Sequence, residues 1–258
     1  MLRVMLCAWL GVAASFALGL RSAPVAVGVG AWFLSLTASR LVLPWLALLS
    51  VVWLVSRPGV RRERRLIRAL LVATVFALFL AGGSWLNERV IKPALAVPRP
   101  SVAALVDAGA LPEGSRAFYA LPSVTQRRAR LHAVMAAAVG DAAAPKDAHV
   151  RAEWGAMVGY SLPSGHAFAS MLFATLCFGL ARLLRPPGWR FAGWLLAPWA
   201  VAVAWSRPLI GVHTPLDVTV GSGLGLALAM IGLWGSQHLL LRSPDAAPQA
   251  ADAASLSD

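Results

Sequence analysis

Charge is what this sequence lacks most. Only 13% of its 258 residues are Asp, Glu, Lys or Arg, about half of what a soluble domain carries. Acidic residues number 11, and just two lysines occur, Lys92 and Lys146. A chain so poor in charge and 59% hydrophobic excludes a disordered polymer, a coiled coil and an ordinary cytosolic enzyme. Cysteine is nearly absent too. Cys7 and Cys177 both sit inside apolar runs and offer neither a disulfide framework nor metal-ligand spacing. No internal repeat is present, and the length fits one domain.

What the sequence does have is long apolar runs. Six segments, roughly 4–20, 36–55, 69–86, 166–184, 190–206 and 216–241, have the composition and length of membrane spans. The expected fold is therefore all-α, a polytopic membrane protein with six transmembrane helices. The net charge of +12 would suggest nucleic acid in a soluble protein. Here eleven of the 23 basic residues lie at Arg3, in the run Arg57 to Arg68, at Arg182, Arg185 and Arg190, and at Arg242. Each group abuts an apolar run, and six spans put all four on one side, which the positive-inside rule makes cytoplasmic. Both termini are then cytoplasmic, and no nucleic-acid partner is expected. Residues 87–163 and 207–215 fall on the opposite face.

Residues 1–26 have some features of a signal peptide, with Arg3 as the basic end, but no clean cleavage site follows. The run 25–39 is apolar and is interrupted by Arg40; counting it as a span would break the charge asymmetry, so an interfacial or re-entrant helix on the outer face is expected. Between the third and fourth spans, about 101–160, polar residues return. Ser123 followed by Gln126 is a capping box opening a helix through about Val139, and a second helix is expected near 147–157. This stretch reads as a helical extracytoplasmic insertion. Residues 1–242 then form one membrane-embedded domain, and 243–258, small and polar, a disordered tail.

Three clusters put polar groups at span ends on the outer face: Lys92 to Pro100, Pro163-Ser164-Gly165-His166, and Ser206-Arg207 with His213 and Asp217. Prolines at 93, 98 and 100 deny a regular helix around Lys92 and Arg99. Lys92 and Arg99 would serve as snorkelling anchors, but a rigid loop holding two cations is more than an anchor needs. Ser164 is placed to cap the fourth span, and that helix start, with Gly165 beside it, offers free N–H groups to an anion. Capping does not account for His166. Thr214, Pro215 and Asp217 fit a helix start as cap, first position and first-turn acid. Yet Asp217 is the only acidic residue between Glu153 and Asp245, four positions after His213, the spacing of a base and the group that orients it. His166, His213 and Asp217 are formally metal ligands, but Lys92, Arg99 and Arg207 would repel a cation, so no metal is expected. Gly221, Gly223 and Gly225 lie inside an apolar span and serve close helix packing. His132, His149 and His238 have no partners in pattern, and Trp85, Trp189 and Trp205 sit where an aromatic belt would.

Three cations, a helix start and two histidines suit a phosphate-sized anion, and two histidines with one carboxylate suggest attack on it. The patterns Lys-x6-Arg-Pro, Pro-Ser-Gly-His and Ser-Arg-x5-His-x3-Asp resemble the three signature motifs of the type-2 phosphatidic acid phosphatase superfamily, with no departure at any motif position. The helical insertion resembles that of its bacterial members acting on phosphatidylglycerophosphate and undecaprenyl pyrophosphate. The resemblance implies a nucleophilic His213 that forms a phosphohistidine, oriented by Asp217. It implies His166 as the acid and base. Lys92, Arg99, Ser164, Gly165 and Arg207 would hold the phosphoryl oxygens, without metal or cofactor. The expected substrate is a lipid phosphate met in the bilayer of a bacterial inner membrane, at the periplasmic face, with no obligate protein partner evident. Two rivals stay open: a phosphotransferase with an acceptor other than water, and a lipid transporter that uses the basic pocket for binding alone.

Overall fold

Apolar runs of this length leave the backbone only one way to satisfy its own polar groups, and every regular element is helical among the described residues. The computed structural model describes residues 1–20, 25–137 and 144–241. The helices, in chain order, are α1 (Leu2–Ala13), α2 (Val25–Leu36), α3 (Leu43–Leu54), α4 (Arg62–Leu95), α5 (Pro100–Asp107), α6 (Gly114–Ala120), α7 (Val124–Ala137), α8 (Ala148–Ala156), α9 (Gly165–Leu184), α10 (Ala192–Leu209) and α11 (Pro215–Leu241). The expected tail and the end of the Ser123 helix at Val139 lie outside the described residues.

Three of these helices are long and apolar enough to cross a membrane: Arg62–Leu95, Gly165–Leu184 and Pro215–Gln237. The apolar helices α1 and α3 have only 12 residues each. The run 36–55 shortens for a local reason. Thr37 Oγ1 donates to the Leu34 carbonyl and the Ser39 hydroxyl accepts from the Val42 N–H, side-chain bonds that compete with helix continuation. The third segment is longer than expected. Helix α4 continues through Pro93, against the expectation that proline would deny a helix there. It contains two π-helical stretches, Ala77–Gly82 and Asn87–Ile91, and the second, just before Pro93, widens the turn where the ring would otherwise meet the preceding carbonyl. The helix stops at Ala96, which turns left-handed (φ 50°) ahead of Pro98.

Helix α9 is the centre of the bundle and is buried along nearly its whole length. Its neighbours are α11 on one side and α10 on the other, with α1 against both and α3 against α4 and α9. The approach of α9 and α11 is closest at two glycines. A Cβ on Gly221 would lie 2.5 Å from the Ser164 carbonyl oxygen, and one on Gly225 2.3 Å from that of Phe168. Backbone cannot yield as a flexible side chain would, so small residues are required along this seam. Gly223, in contrast, faces the Trp9 indole. Gly225→Ala is expected to destabilise the protein by about 1–3 kcal/mol through overpacking. Gly235→Ala, on the same helix with open space around it, is expected to be neutral or stabilising. Thermal melting of the two variants in detergent checks the contrast.

The insertion has its own apolar core, with Val102, Leu105, Phe118, Leu131 and Trp154 packed on Ile210 and Val212. Ser123 Oγ accepts from the Gln126 N–H at 3.1 Å, opening α7 as the capping box predicts. Asp147 caps α8 in the same way. Glu113 holds Arg130 through two hydrogen bonds of 2.7 and 3.0 Å, tying the start of α6 to α7. Helices α5 and α6 were not expected individually. Helix α2 packs on α10 and on α8 of the insertion, with Trp32 stacked on His149 at 4.4 Å. The 25–39 run is therefore a short helix docked beside the insertion. His149 and His132 are packing residues, His132 lying against Gly155, while the His238 side chain is outside the described residues.

Candidate active site

The three polar clusters meet where α4 ends and α9 and α11 begin, beneath the insertion. Ser164 has extended backbone and its Oγ accepts from the Ala167 N–H, capping α9 as expected. Its own N–H donates to the Asp217 carbonyl at 2.9 Å, which ties the start of α9 to the start of α11. Thr214 and Asp217 cap α11 reciprocally: the Thr214 N–H donates to Asp217 Oδ2 (2.7 Å) and the Asp217 N–H to Thr214 Oγ1 (3.2 Å). The structural reading of Asp217 is thus correct, and it does not exhaust the residue. The same Oδ2 lies 3.4 Å from His213 Nδ1.

His213 sits in the loop between α10 and α11, held by neighbours on both sides. The Trp154 indole donates to the Ile210 carbonyl at 2.7 Å, and Arg99 Nη1 donates to the Val212 carbonyl at 3.1 Å. Arg99 Nη1 also lies 3.1 Å from His213 Nε2. A guanidinium can only donate, so Nε2 is the acceptor and the ring proton belongs on Nδ1. That side meets Ser161 Oγ at 3.2 Å, and the Ser161 hydroxyl in turn donates to Asp217 Oδ2 in a very short contact. Ser161 is therefore a bridge between the histidine and the carboxylate. Burial first, then the charges of Arg99, Arg207 and Lys92, hold the His213 ring well below the usual imidazole value, with Ser161 partly opposing. The ring is neutral at neutral pH, with its Nε2 lone pair directed at a cation.

The cations are buried as well. Arg99 is fixed by its Nε to the Gly159 carbonyl (2.8 Å), and its backbone N–H donates to the Tyr119 hydroxyl (3.1 Å). Arg207 is wholly buried; its Nη2 meets Glu153 Oε1 of the insertion at 2.9 Å, while its Nε and Nη1 have no partner among the described residues. Lys92 Nζ is 2.6 Å from Glu88 Oε1 and lies beside Gly165, 3.7 Å from where a Cβ there would stand. His166 is half-buried, within electrostatic range of Arg207, His213, Lys92 and Arg99. All eight residues singled out from the sequence thus lie around one centre. Among the described residues no three of His, Cys, Asp or Glu are grouped to hold a metal ion.

Sequence reasoning missed Ser161, Glu153, Glu88 and Tyr119. Ser161 carried no signal beyond lying next to the Pro-Ser-Gly-His run. Glu153 had one, the scarcity of acids, since a buried arginine needs a counter-charge and few candidates exist.

The arrangement can bind a tetrahedral dianion between fixed donors and offers it an imidazole nitrogen. Over 173 residues the chain is 29% identical to phosphatidylglycerophosphatase B of Escherichia coli K12, and equally to that of Escherichia coli O157:H7 and of Shigella flexneri. The match covers 66% of this chain and 62% of each relative, so the chain spans a little under two thirds of their length. Residues 67–239, which carry all three polar clusters and the glycine seam, match the PAP2 superfamily, and the chain belongs to that superfamily.

Proposed function

We propose that this chain is an integral membrane phosphatase that removes the terminal phosphate of lipid phosphates through a phosphohistidine. One observation carries the reading: His213 Nε2, free of its proton, faces Arg99 in a centre where Arg207 Nε and Nη1 have no partner among the described residues. An imidazole surrounded by cations is poor as a proton acceptor from solvent and suited to attack an anionic phosphorus that those cations hold. The location of the centre, at the ends of helices long and apolar enough to span a bilayer, supports an amphiphilic substrate whose phosphate lies at the membrane surface. The names of the relatives make phosphatidylglycerophosphate the first substrate to try, with undecaprenyl pyrophosphate beside it.

In the proposed reaction His213 Nε2 attacks phosphorus in line. The bond from phosphorus to the bridging oxygen breaks, its electron pair passes to the leaving oxygen, and His166 supplies the proton. Asp217 and Ser161 hold the Nδ1 proton and stabilise the charge the ring acquires. Lys92, Arg99, Arg207, Ser164 and the Gly165 N–H bind the phosphoryl oxygens, whose charge develops in the transition state. His166 then takes a proton from water as it attacks the phosphohistidine, which returns His213 and frees phosphate. Fixed cations supply what a divalent ion supplies in other phosphoryl transfers, so the reaction is metal-independent.

The same reading gives six spans in a bacterial inner membrane, with the active site periplasmic and both termini cytoplasmic. Three of the basic groups, at Arg3, Arg57 to Arg68 and Arg182 to Arg190, support it by sharing one end of the bundle: Met1 lies within reach of the Arg182 charge, and Trp53, near the end of α3, donates to the Pro187 carbonyl. Purified protein in detergent with EDTA, given phosphatidylglycerophosphate and undecaprenyl pyrophosphate in parallel, is expected to release phosphate from at least one. Inhibition by EDTA that added metal reverses would overturn metal independence. Consumption of lipid phosphate that requires a second acceptor would make the protein a transferase, and binding without turnover a transporter.

A further inference from the structure

Asn87 lies on the inner side of the phosphate cradle, and no motif includes it. Its side chain is 1% exposed, and neither its Oδ1 nor its Nδ2 has a hydrogen-bond partner within the described residues. A primary amide so placed in a membrane-spanning helix is costly unless something binds it. A structural role does not account for it. Asn87 opens the π-helical stretch Asn87–Ile91, but its amide bonds to no backbone group there, so it does not stabilise the bulge. What the bulge does is set direction. Five residues make about one π-turn, so Asn87 and Lys92 share a face, and both reach the start of α9. A Cβ on Gly165 would stand 3.8 Å from Asn87 Nδ2 and 3.7 Å from Lys92 Nζ.

Depth separates the two. Lys92 is near the end of α4, while Asn87 is one turn further into the span. A pyrophosphate lipid that presents its terminal phosphoryl group to Lys92 and Gly165 can place its next phosphate within reach of Asn87, whose Nδ2 lies as close to Gly165 as Lys92 Nζ does. We infer that Asn87 is a specificity-determining residue, whose amide hydrogen-bonds a second phosphate in the leaving group of a pyrophosphate lipid. Its two N–H donors match the non-bridging oxygens of that phosphate, which stays with the lipid after the terminal group has left. A monophosphate whose ester oxygen is attached directly to hydrocarbon has nothing to offer the amide. The inference rests on the proposed phosphatase reading and adds to it a residue that separates two classes of substrate.

The matched pair farnesyl pyrophosphate and farnesyl monophosphate tests it, with kcat/KM measured by phosphate release from purified full-length protein. In Asn87→Leu, of similar volume, the ratio of pyrophosphate to monophosphate is expected to fall about tenfold, the loss of a hydrogen bond to a charged group. In Asn87→Asp, which keeps the shape and sets a carboxylate against the phosphate, it is expected to fall further. A ratio, unlike a rate, is unmoved by partial misfolding. Ratios within twofold of wild type in both variants would overturn the inference and leave the phosphatase reading intact. A folded wild type that hydrolyses no lipid phosphate would overturn that reading, and this inference with it.

Discussion

His213→Ala is expected to abolish phosphate release, by at least about a thousandfold, while leaving the thermal melt within a few degrees of wild type. The ring is held by Arg99 and Ser161 but anchors neither alone, because Arg99 keeps its bonds to the Gly159 and Val212 carbonyls and Ser161 keeps its contact with Asp217. Loss of the ring therefore removes the proposed nucleophile more than the architecture. A label carried from terminally labelled lipid pyrophosphate to acid-labile, base-stable phosphohistidine should appear in wild type after a rapid quench and be absent from His213→Ala. A folded variant that retains more than a few per cent of the rate would remove His213 from the nucleophile's role.

Asp217→Asn should cost less than loss of His213, since in the proposed mechanism Asp217 orients rather than reacts. Its Oδ2 receives the Thr214 N–H and the Ser161 hydroxyl and faces Nδ1; an amide can keep its oxygen at that position but removes the negative charge that stabilises a charged imidazole ring. The residue serves both the helix cap and the histidine, so a melt is measured alongside. A rate loss equal to that of His213→Ala with an unchanged melt would give Asp217 more than an orienting part.

The residues proposed to do the chemistry were legible in the sequence because membrane surroundings make polar side chains conspicuous. His166, His213, Asp217, Lys92, Arg99 and Arg207 stand out against apolar neighbours, and helix starts such as Ser164 and Thr214 announce themselves by type and spacing. Partners contributed from a distance were not legible. Glu153 reaches Arg207 across 54 positions and Ser161 reaches Asp217 across 56, pairings that only the packing of the insertion onto the 210–213 loop creates. Helix limits failed for another reason. Hydropathy reports composition, and it does not register the hydroxyls at Thr37 and Ser39 that end an apolar helix, nor the π-turn that carries α4 through Pro93. Asn87 was invisible in the same way, because its meaning depends on a helical period that is neither 3.6 nor 3.0.

Arg207 carries the second large effect. Its side chain is fully buried, and among the described residues only Nη2 is engaged by an acid, Glu153, itself 14% exposed. An arginine fork with one prong held and its Nε and Nη1 unpartnered among the described residues is oriented before any phosphate arrives, which lowers the ordering cost of binding. Arg207→Lys keeps the positive charge and loses the fork. It is expected to lower kcat by about a hundredfold, as removal of one donor aimed at developing charge does elsewhere, with a smaller change in KM. Glu153→Gln works in the opposite sense on stability. It leaves Arg207 buried without a counter-charge, and breaking such a pair from one side costs about 3–5 kcal/mol. Phosphate or vanadate binds the free cation and should restore much of that loss, so the melting temperature of Glu153→Gln is expected to rise with added vanadate by more than that of wild type. An Arg207→Lys variant impaired in KM alone would show that Arg207 only binds substrate. A Glu153→Gln variant no more responsive to vanadate than wild type would show that the anion does not reach Arg207.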